Sequence, residues 1–174
     1  MKTLYVFFLL PLIIFSGCSK VEETKLITSF TANYQAEYCG LNVSGSIITN
    51  GQSLTNINIT NPETVSGLNI NYKGNEMQIT RESLICSADE AYLPQKSFPS
   101  LVKSIIDSLS QGRFEKVTEN TYSLNTDSGR CELNSDENGF INEAQIKDCE
   151  FKITFTEIKT VDSKWYIHKF YAQK

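Results

Sequence analysis

An alternation of apolar and polar residues runs through the first half of the chain and constrains its fold more than any other feature. It is clearest from Phe30 to Tyr38, where every second residue is an alanine or an aromatic residue. Shorter runs with the same period continue up to Ile79, and Lys73-Gly74-Asn75-Glu76 between two of them is typical of a hairpin turn. A period of two predicts antiparallel strands with one apolar face and one wet face.

The alternation is interrupted once, by a segment with helical spacing. Pro99 suits the first turn of a helix, and Gly112 lies just past its end, so we predict a helix over residues 98–110. Alternation then resumes and continues to a last strand at Trp165–Tyr171, which gives about eleven strands in all. The apolar residues of the helix are Leu101, Val102, Ile105, Ile106 and Leu109.

An antiparallel sheet of this size must curl or split, and its apolar concave face needs a cover. We therefore predict a mainly β fold, a single large curved antiparallel sheet forming an unclosed half-barrel, with the central helix plugging the concave face. Because one helix is narrow, we expect part of that face to remain open as an apolar pocket. The predicted pocket residues are Phe30, Tyr34, Val43, Ile57, Ile59, Leu68, Ile70, Met77, Ile79, Leu101, Ile105 and Leu109.

The first residues have the features of a bacterial lipoprotein signal. Lys2 precedes an apolar run from Leu4 to Phe15, which is shorter than the ~20 residues that span a bilayer. The run ends in Ser16-Gly17-Cys18, which resembles a lipobox; the alternative is an ordinary signal peptide followed by a chance cysteine. We expect a lipoprotein signal peptide at 1–17, a lipid on Cys18, a tether at 18–27 and one domain at 28–174.

Charge and composition limit the partners. The formal net charge is −4 and the basic residues are scattered, which argues against nucleic acid and against electrostatic docking on lipid. Acyl chains such as palmitate on Cys18 would then hold the protein at the cell membrane, facing away from the cytoplasm, because two chains anchor stably.

Four cysteines remain after Cys18, and an even count outside the cytoplasm indicates two disulfides. Four cysteines allow three pairings. We favour Cys131–Cys149, which flank a predicted hairpin, and this choice leaves Cys39–Cys86. Zinc sites need closely spaced cysteine pairs, which the sequence lacks, so we expect no metal.

Little in the sequence suggests catalysis. The single histidine, His168, has no evident nucleophile or metal partner, and we interpret it as structural. Asn134–Gly139 resembles the first half of a calcium loop, but Gln145 stands where the loop needs Glu, which favours a polar hairpin turn. We expect a protein that is not an enzyme and that uses no cofactor.

Several short motifs, in order, resemble the LolA-like family of lipoprotein carriers and its membrane-anchored Gram-positive relatives. The resemblance covers roughly Ser29 to Lys159, and its most specific part is Pro-x-x-Val-x-Gly-Leu, where Pro62 ends one strand and Gly67 permits the bend into the next. The motifs are Phe30–Tyr34, Val43–Ile47, Asn61–Leu68, Ala91–Pro94 and Gly139–Ile141.

The resemblance implies an unclosed antiparallel barrel whose apolar interior binds acyl chains. Family carriers are soluble shuttles with an arginine on an early strand that helps to gate them, whereas this chain has Cys18 and no arginine at 41–49. Our first hypothesis is a membrane-anchored protein that binds lipid or an acyl chain. The alternative is an envelope interaction module with a filled core, whose exposed edge strand pairs with an envelope protein or a second copy.

Overall fold

The structure is a computed structural model that describes residues 25–161. Within this range the chain forms eleven strands and one α-helix. Three short 3-10 turns lie at Glu63–Val65, Glu90–Tyr92 and Lys147–Cys149. The strands are β1 (Phe30–Tyr38), β2 (Leu41–Thr49), β3 (Leu54–Asn61), β4 (Asn69–Lys73), β5 (Glu76–Arg81), β6 (Leu84–Asp89), β7 (Phe114–Lys116), β8 (Thr121–Thr126), β9 (Gly129–Ser135), β10 (Ile141–Ile146) and β11 (Phe151–Thr160), and the helix is α1 (Phe98–Ser110).

All eleven strands belong to one antiparallel sheet that does not close. Its order is β6-β5-β4-β3-β2-β1-β11-β10-β9-β8-β7, so the two halves of the chain meet where β1 pairs with β11. This confirms the predicted fold class, a mainly β half-barrel with one helix.

The order of the strands explains the curvature of the sheet. The strands before and after α1 are β6 and β7, which form the two opposite edges. In a flat sheet of eleven strands those edges would lie about 48 Å apart, whereas a helix of thirteen residues spans about 20 Å. The sheet therefore curls, and α1 crosses its concave face from one edge to the other.

The turns follow the sequence signals. Gly74, in the predicted hairpin between β4 and β5, has φ +61°, and Gly67 has φ +80° where the chain bends from β3 towards β4. The amide of Gly67 donates to the carbonyl of Ile59, and the amide of Ile59 donates to the carbonyl of Leu68, both at 2.9 Å. These bonds hold the bend after Pro62 against the end of β3.

Helix α1 has the predicted bounds and faces the sheet with its apolar side. Pro99 lies in its first turn, and Gly112 follows its end with φ +67°, a conformation that favours glycine. Its five predicted apolar residues are all at most 3% exposed. The helix is therefore part of the core of the domain.

Aromatic side chains join α1 to both halves of the sheet. The ring of Phe98 packs against Tyr34 on β1 and Phe151 on β11, with centroid distances of 5.7 and 6.0 Å. Phe30 and Phe155 pack edge to face across the same two strands at 5.7 Å. These contacts fill the centre of the concave face, above the junction of the two halves.

The structure contains two strands that the periodicity did not mark. Strand β6 has no alternation because it is exposed on both faces, and β7 has only three residues. The predicted signal peptide with Cys18, the predicted strand Trp165–Tyr171 and His168 lie outside the described residues. Within 25–161, α1 is too short to cross a membrane.

Candidate functional site

The structure brings the twelve predicted pocket residues together, but as packed core. Ten of them are buried, while Leu68 and Ile79 are partly buried against the same cluster. Ile59, at the middle of the predicted pocket, is only 6% exposed. Phe151, Ile153 and Phe155 of the second half of the sheet pack into the same cluster and fill the space that we expected to be open. The concave face is therefore closed in this conformation except at its β6 edge.

A polar cavity of about 360 Å³ lies at the mouth of the half-barrel, above the outward side of α1. Ser100, Lys103, Ser104 and Asp107 line its floor from successive turns of the helix. The wall towards the first half of the sheet includes Tyr72, Asp89 and Glu90, and the opposite wall includes Asp127 and Ser128. None of the twelve predicted pocket residues lines it.

Lys103 is the central charge of this cavity. Its ammonium lies 3.3 Å from a carboxylate oxygen of Glu90 and 2.5 Å from one of Asp107, and its side chain is only 11% exposed. It also lies 5.5 Å from the centre of the Tyr72 ring, within reach of a cation–π interaction. Lys103 thus ties α1 to the turn after β6 and to the ring on β4.

Tyr72 brings a buried hydroxyl to the wall of the same cavity. The residue is 1% exposed, and its hydroxyl lies beside the Ser100 side chain of α1. Burial raises the pKa of this hydroxyl, the nearby carboxylate of Glu90 raises it further, and a hydrogen bond with Ser100 opposes the shift. Tyr72 therefore packs as a neutral side chain between β4 and α1.

A second cavity, of about 290 Å³, lies over β1, β2 and β11, and Val43 is the one predicted pocket residue among its lining. Most of the lining is polar and includes Gln35, Glu37, Ser44 and Lys152. Lys152 forms an ion pair with Glu143 at 2.8 Å, and this hydrogen bond and charge raise the pKa of the lysine. The groove is a polar surface feature and offers little apolar area to an acyl chain.

Strand β6 is an exposed apolar edge. Leu84 is 74% exposed and Ile85 is 68% exposed. Leu84 and Cys86 pair with Arg81 and Ile79, so they lie on the face of the sheet that carries Met77, whereas Ile85 lies on the other face. Apolar side chains are therefore uncovered on both faces of this edge.

The four described cysteines are all unbonded thiols, so the structure contains neither predicted disulfide. Cys131 is buried opposite Ile146, three residues before Cys149. Cys86 lies on β6, four strand positions away from β2, which begins just after Cys39. The sulfur of Cys39 lies 3.9 Å from the backbone oxygen of Cys149.

The segment that resembles a calcium loop is a turn between β9 and β10. A carboxylate oxygen of Asp136 accepts hydrogen bonds from the amides of Asn138 and Phe140, both at 2.9 Å, and Gly139 has φ +84°. The carboxylate is thus used within the turn, as the hairpin interpretation requires. Among residues 25–161, no group of three or more His, Cys, Asp or Glu side chains is arranged to hold a metal ion.

No protein-family model matches the chain, and no curated protein is similar to it. The solved structures that match the chain include three that each cover more than 80% of it. A LolA superfamily protein from Nitrosomonas europaea has 11% identity and a TM-score of 0.44, covering 86% of this chain and 94% of that one. A DUF1329 family protein from Desulfovibrio piger has 11% identity and a TM-score of 0.44, covering 83% and 91%.

The third structure is a domain of an outer membrane lipoprotein-sorting protein from Vibrio parahaemolyticus. It has 6% identity and a TM-score of 0.41, covering 84% of this chain and 92% of that one. The first of the three structures carries the name of the superfamily that the sequence motifs resemble. What this chain binds has to be inferred from its own geometry.

We predict that the clamp formed by Lys103 contributes to stability. Lys103→Met keeps the aliphatic stem but leaves Glu90 and Asp107 without their cation, so we expect the free energy of unfolding in urea to fall by about 1–2 kcal/mol. The matched control is Lys147→Met, whose pair with Glu132 is 72% and 53% exposed and should contribute less than about 0.5 kcal/mol. Equal losses for the two variants would show that Lys103 has no special role.

Proposed function

We propose that this chain is an interaction module of the cell envelope, anchored through Cys18, that adds a strand from a partner protein to its edge strand β6. The observation that carries the proposal is the exposure of Leu84 and Ile85, at 74% and 68%, on an edge that has no neighbouring strand among residues 25–161. Large apolar side chains on both faces of an unpaired edge are the features that β-augmentation uses.

The two edge strands of the sheet differ in length and in charge. Strand β7 has three residues, and two of them are Glu115 and Lys116, so it is short and charged as protected edges usually are. Strand β6 has six residues without lysine or proline, and its one charge, Asp89, is at its end. Only β6 therefore presents a long, apolar and unprotected row of backbone groups.

The closed core supports the same function. With ten of the twelve predicted pocket residues buried, the concave face offers a ligand little free apolar surface away from the β6 edge in this conformation. A partner would then be recognised at the rim of the half-barrel and at the edge strand β6. A strand paired with β6 would cover Leu84 on one face and Ile85 on the other, which removes apolar area from water.

Site-specific photo-crosslinking in the native envelope tests the proposal. A benzophenone amino acid at position 85 of the full chain should give a crosslinked product of higher mass, because this side chain would lie within the interface. The same amino acid at position 41 is the matched control, since Leu41 is similarly exposed, at 57%, but lies on an interior strand.

Adding Leu84→Lys to the position-85 variant should abolish the product, because a lysine on an edge opposes strand pairing. The mass of the product distinguishes a second copy from another envelope protein. The absence of a product at position 85, or equal products at positions 85 and 41, would refute the proposal.

A second candidate function, binding of a lipid or acyl chain under α1, is favoured by one observation. Helix α1 is the only helix of the described residues that covers the concave face, and Lys103 on its polar side forms an ion pair with Glu90 outside the helix. If the helix moved away, the nine of the twelve apolar residues that lie outside α1 would line a continuous trough that ends at Leu84 and Cys86 on β6. Acyl binding would then be linked to displacement of α1.

This candidate predicts that weakening the clamp increases lipid uptake. Lys103→Met should bind a fluorescent fatty acid about fivefold more tightly than the wild type if the clamp contributes about 1 kcal/mol to the closed state. Lys147→Met, with its exposed ion pair, should leave uptake unchanged. Failure of all three proteins to take up the probe would eliminate lipid binding and leave the edge-strand function unaffected.

A further inference from the structure

Cys39 and Cys149 meet at one end of the β1–β11 pair, where the two halves of the sheet join. The ladder pairs Tyr38 with Phe151, and beyond it the amide of Cys39 donates to the carbonyl of Glu150 at 3.2 Å. Cys39 therefore faces the residue next to Cys149. Its sulfur lies 3.9 Å from the backbone oxygen of Cys149.

This arrangement suits the geometry of a disulfide. Strands are about 4.8 Å apart and advance about 3.4 Å per residue, so diagonal neighbours have Cα atoms roughly 6 Å apart, within the range that disulfides bridge. Cys39 has φ +49° and Glu150 has φ +46°, so both chains are in tight turns where side chains no longer alternate between faces. The Cys149 sulfur is 3.4 Å from the carbonyl oxygen of Ser128, and a rotation about χ1 would redirect it.

Tyr38 lies next to both cysteines. Burial raises the pKa of its hydroxyl, and it is raised further by the charge of the Cys39 thiolate, by a side-chain hydrogen bond with Cys39 and by the charge of the Cys149 thiolate. Both sulfurs therefore lie within electrostatic range of the same hydroxyl group.

The other two cysteines are less suitable partners. Cys86 lies on β6, four strands from β2, so about 19 Å of sheet separates it from the turn that carries Cys39. A disulfide needs Cα atoms within about 7 Å of each other. Cys131 is 0% exposed within the sheet, so an oxidant in solution does not reach its thiol, whereas Cys39 is exposed.

We propose that Cys39 and Cys149 form a disulfide in an oxidising compartment, and that Cys86 and Cys131 remain thiols. The oxidant is a protein or small-molecule disulfide, such as oxidised glutathione. The exposed thiolate of Cys39 attacks it to give a mixed disulfide and releases one thiol; the thiolate of Cys149 then displaces the second thiol. The two cysteines lose two electrons and two protons, and the oxidant gains them as two thiols.

The bond would fasten the rim on which α1 begins. It joins residues 110 positions apart and connects the β1–β2 turn to the turn before β11. Next to it, the hydroxyl of Tyr38 donates to the carbonyl of Lys96 at 2.8 Å, and the Tyr38 ring packs against Phe98 with centroids 6.1 Å apart. The disulfide therefore stabilises the part of the sheet that holds the start of the helix.

Peptide mapping without reduction tests the pairing directly. The full chain is oxidised with glutathione disulfide, its free thiols are alkylated at pH 8, and it is then digested. We expect one linked peptide pair that contains Cys39 and Cys149. Cys86 should be alkylated in the native state, whereas Cys131 should be alkylated only after unfolding, because it is buried and burial raises its pKa to about 12.

A linkage of Cys149 to Cys131, or alkylation of both Cys39 and Cys149 after oxidation, would overturn the proposal. The second measurement is thermal unfolding of the same protein with and without reductant. Closing so long a loop should raise Tm by roughly 10 °C. Cys39→Ser should remove that difference and Cys86→Ser should preserve it; a reductant effect that survives in Cys39→Ser would also contradict the pairing.

Discussion

The structure depends on the packing of α1 into the concave face of the sheet. The chain leaves the sheet at one edge, β6, and re-enters it at the opposite edge, β7, so the segment between them has to cross the concave side. An apolar stripe on that segment draws the two edges towards each other, because burying it requires both halves of the sheet. The Phe98 ring, in contact with Tyr34 and Phe151, is the point at which the halves and the helix meet. Curvature, core and helix position thus have one cause.

In the proposed function, recognition takes place at the rim because the concave face is filled. Residues that would line an open trough are instead the core, while the mouth above α1 is polar and is organised by Lys103 with Glu90 and Asp107. Two of the large apolar residues that remain exposed, Leu84 and Ile85, lie on an edge strand without the charges that protect β7. The two proposed ligands therefore differ in what binding requires. A partner strand could pair with the existing edge β6, whereas an acyl chain could enter only if α1 moved away from the sheet.

The periodicity of the sequence predicted the strands and the helix that bury one face. It did not predict the strand that is exposed on both faces. Strand β1 and α1 were found with their observed bounds, because burial of one side imposes a period of 2 or 3.6 on the residues. Strand β6 is exposed on both faces, so no period marks it, although it is the candidate interaction site. The Lys103–Asp107 pair at i and i+4 was visible in the sequence, but the contact of Lys103 with Glu90 depends on tertiary structure. We expected an open pocket because the apolar area of the N-terminal half of the sheet exceeds the area that one helix can cover. The residues that fill the remaining space belong to the C-terminal half of the sheet.

The measurement that tests this account most directly is the free energy of unfolding of Leu101→Ala compared with Leu41→Ala. Leu101, on α1, is 0% exposed, and its truncation in a filled core should cost about 3–5 kcal/mol in urea unfolding. Leu41 is 57% exposed, and the same truncation there should change stability by less than about 0.5 kcal/mol. Similar small losses for both variants would mean that α1 is a loosely held cover over an open face, which would contradict the central claim.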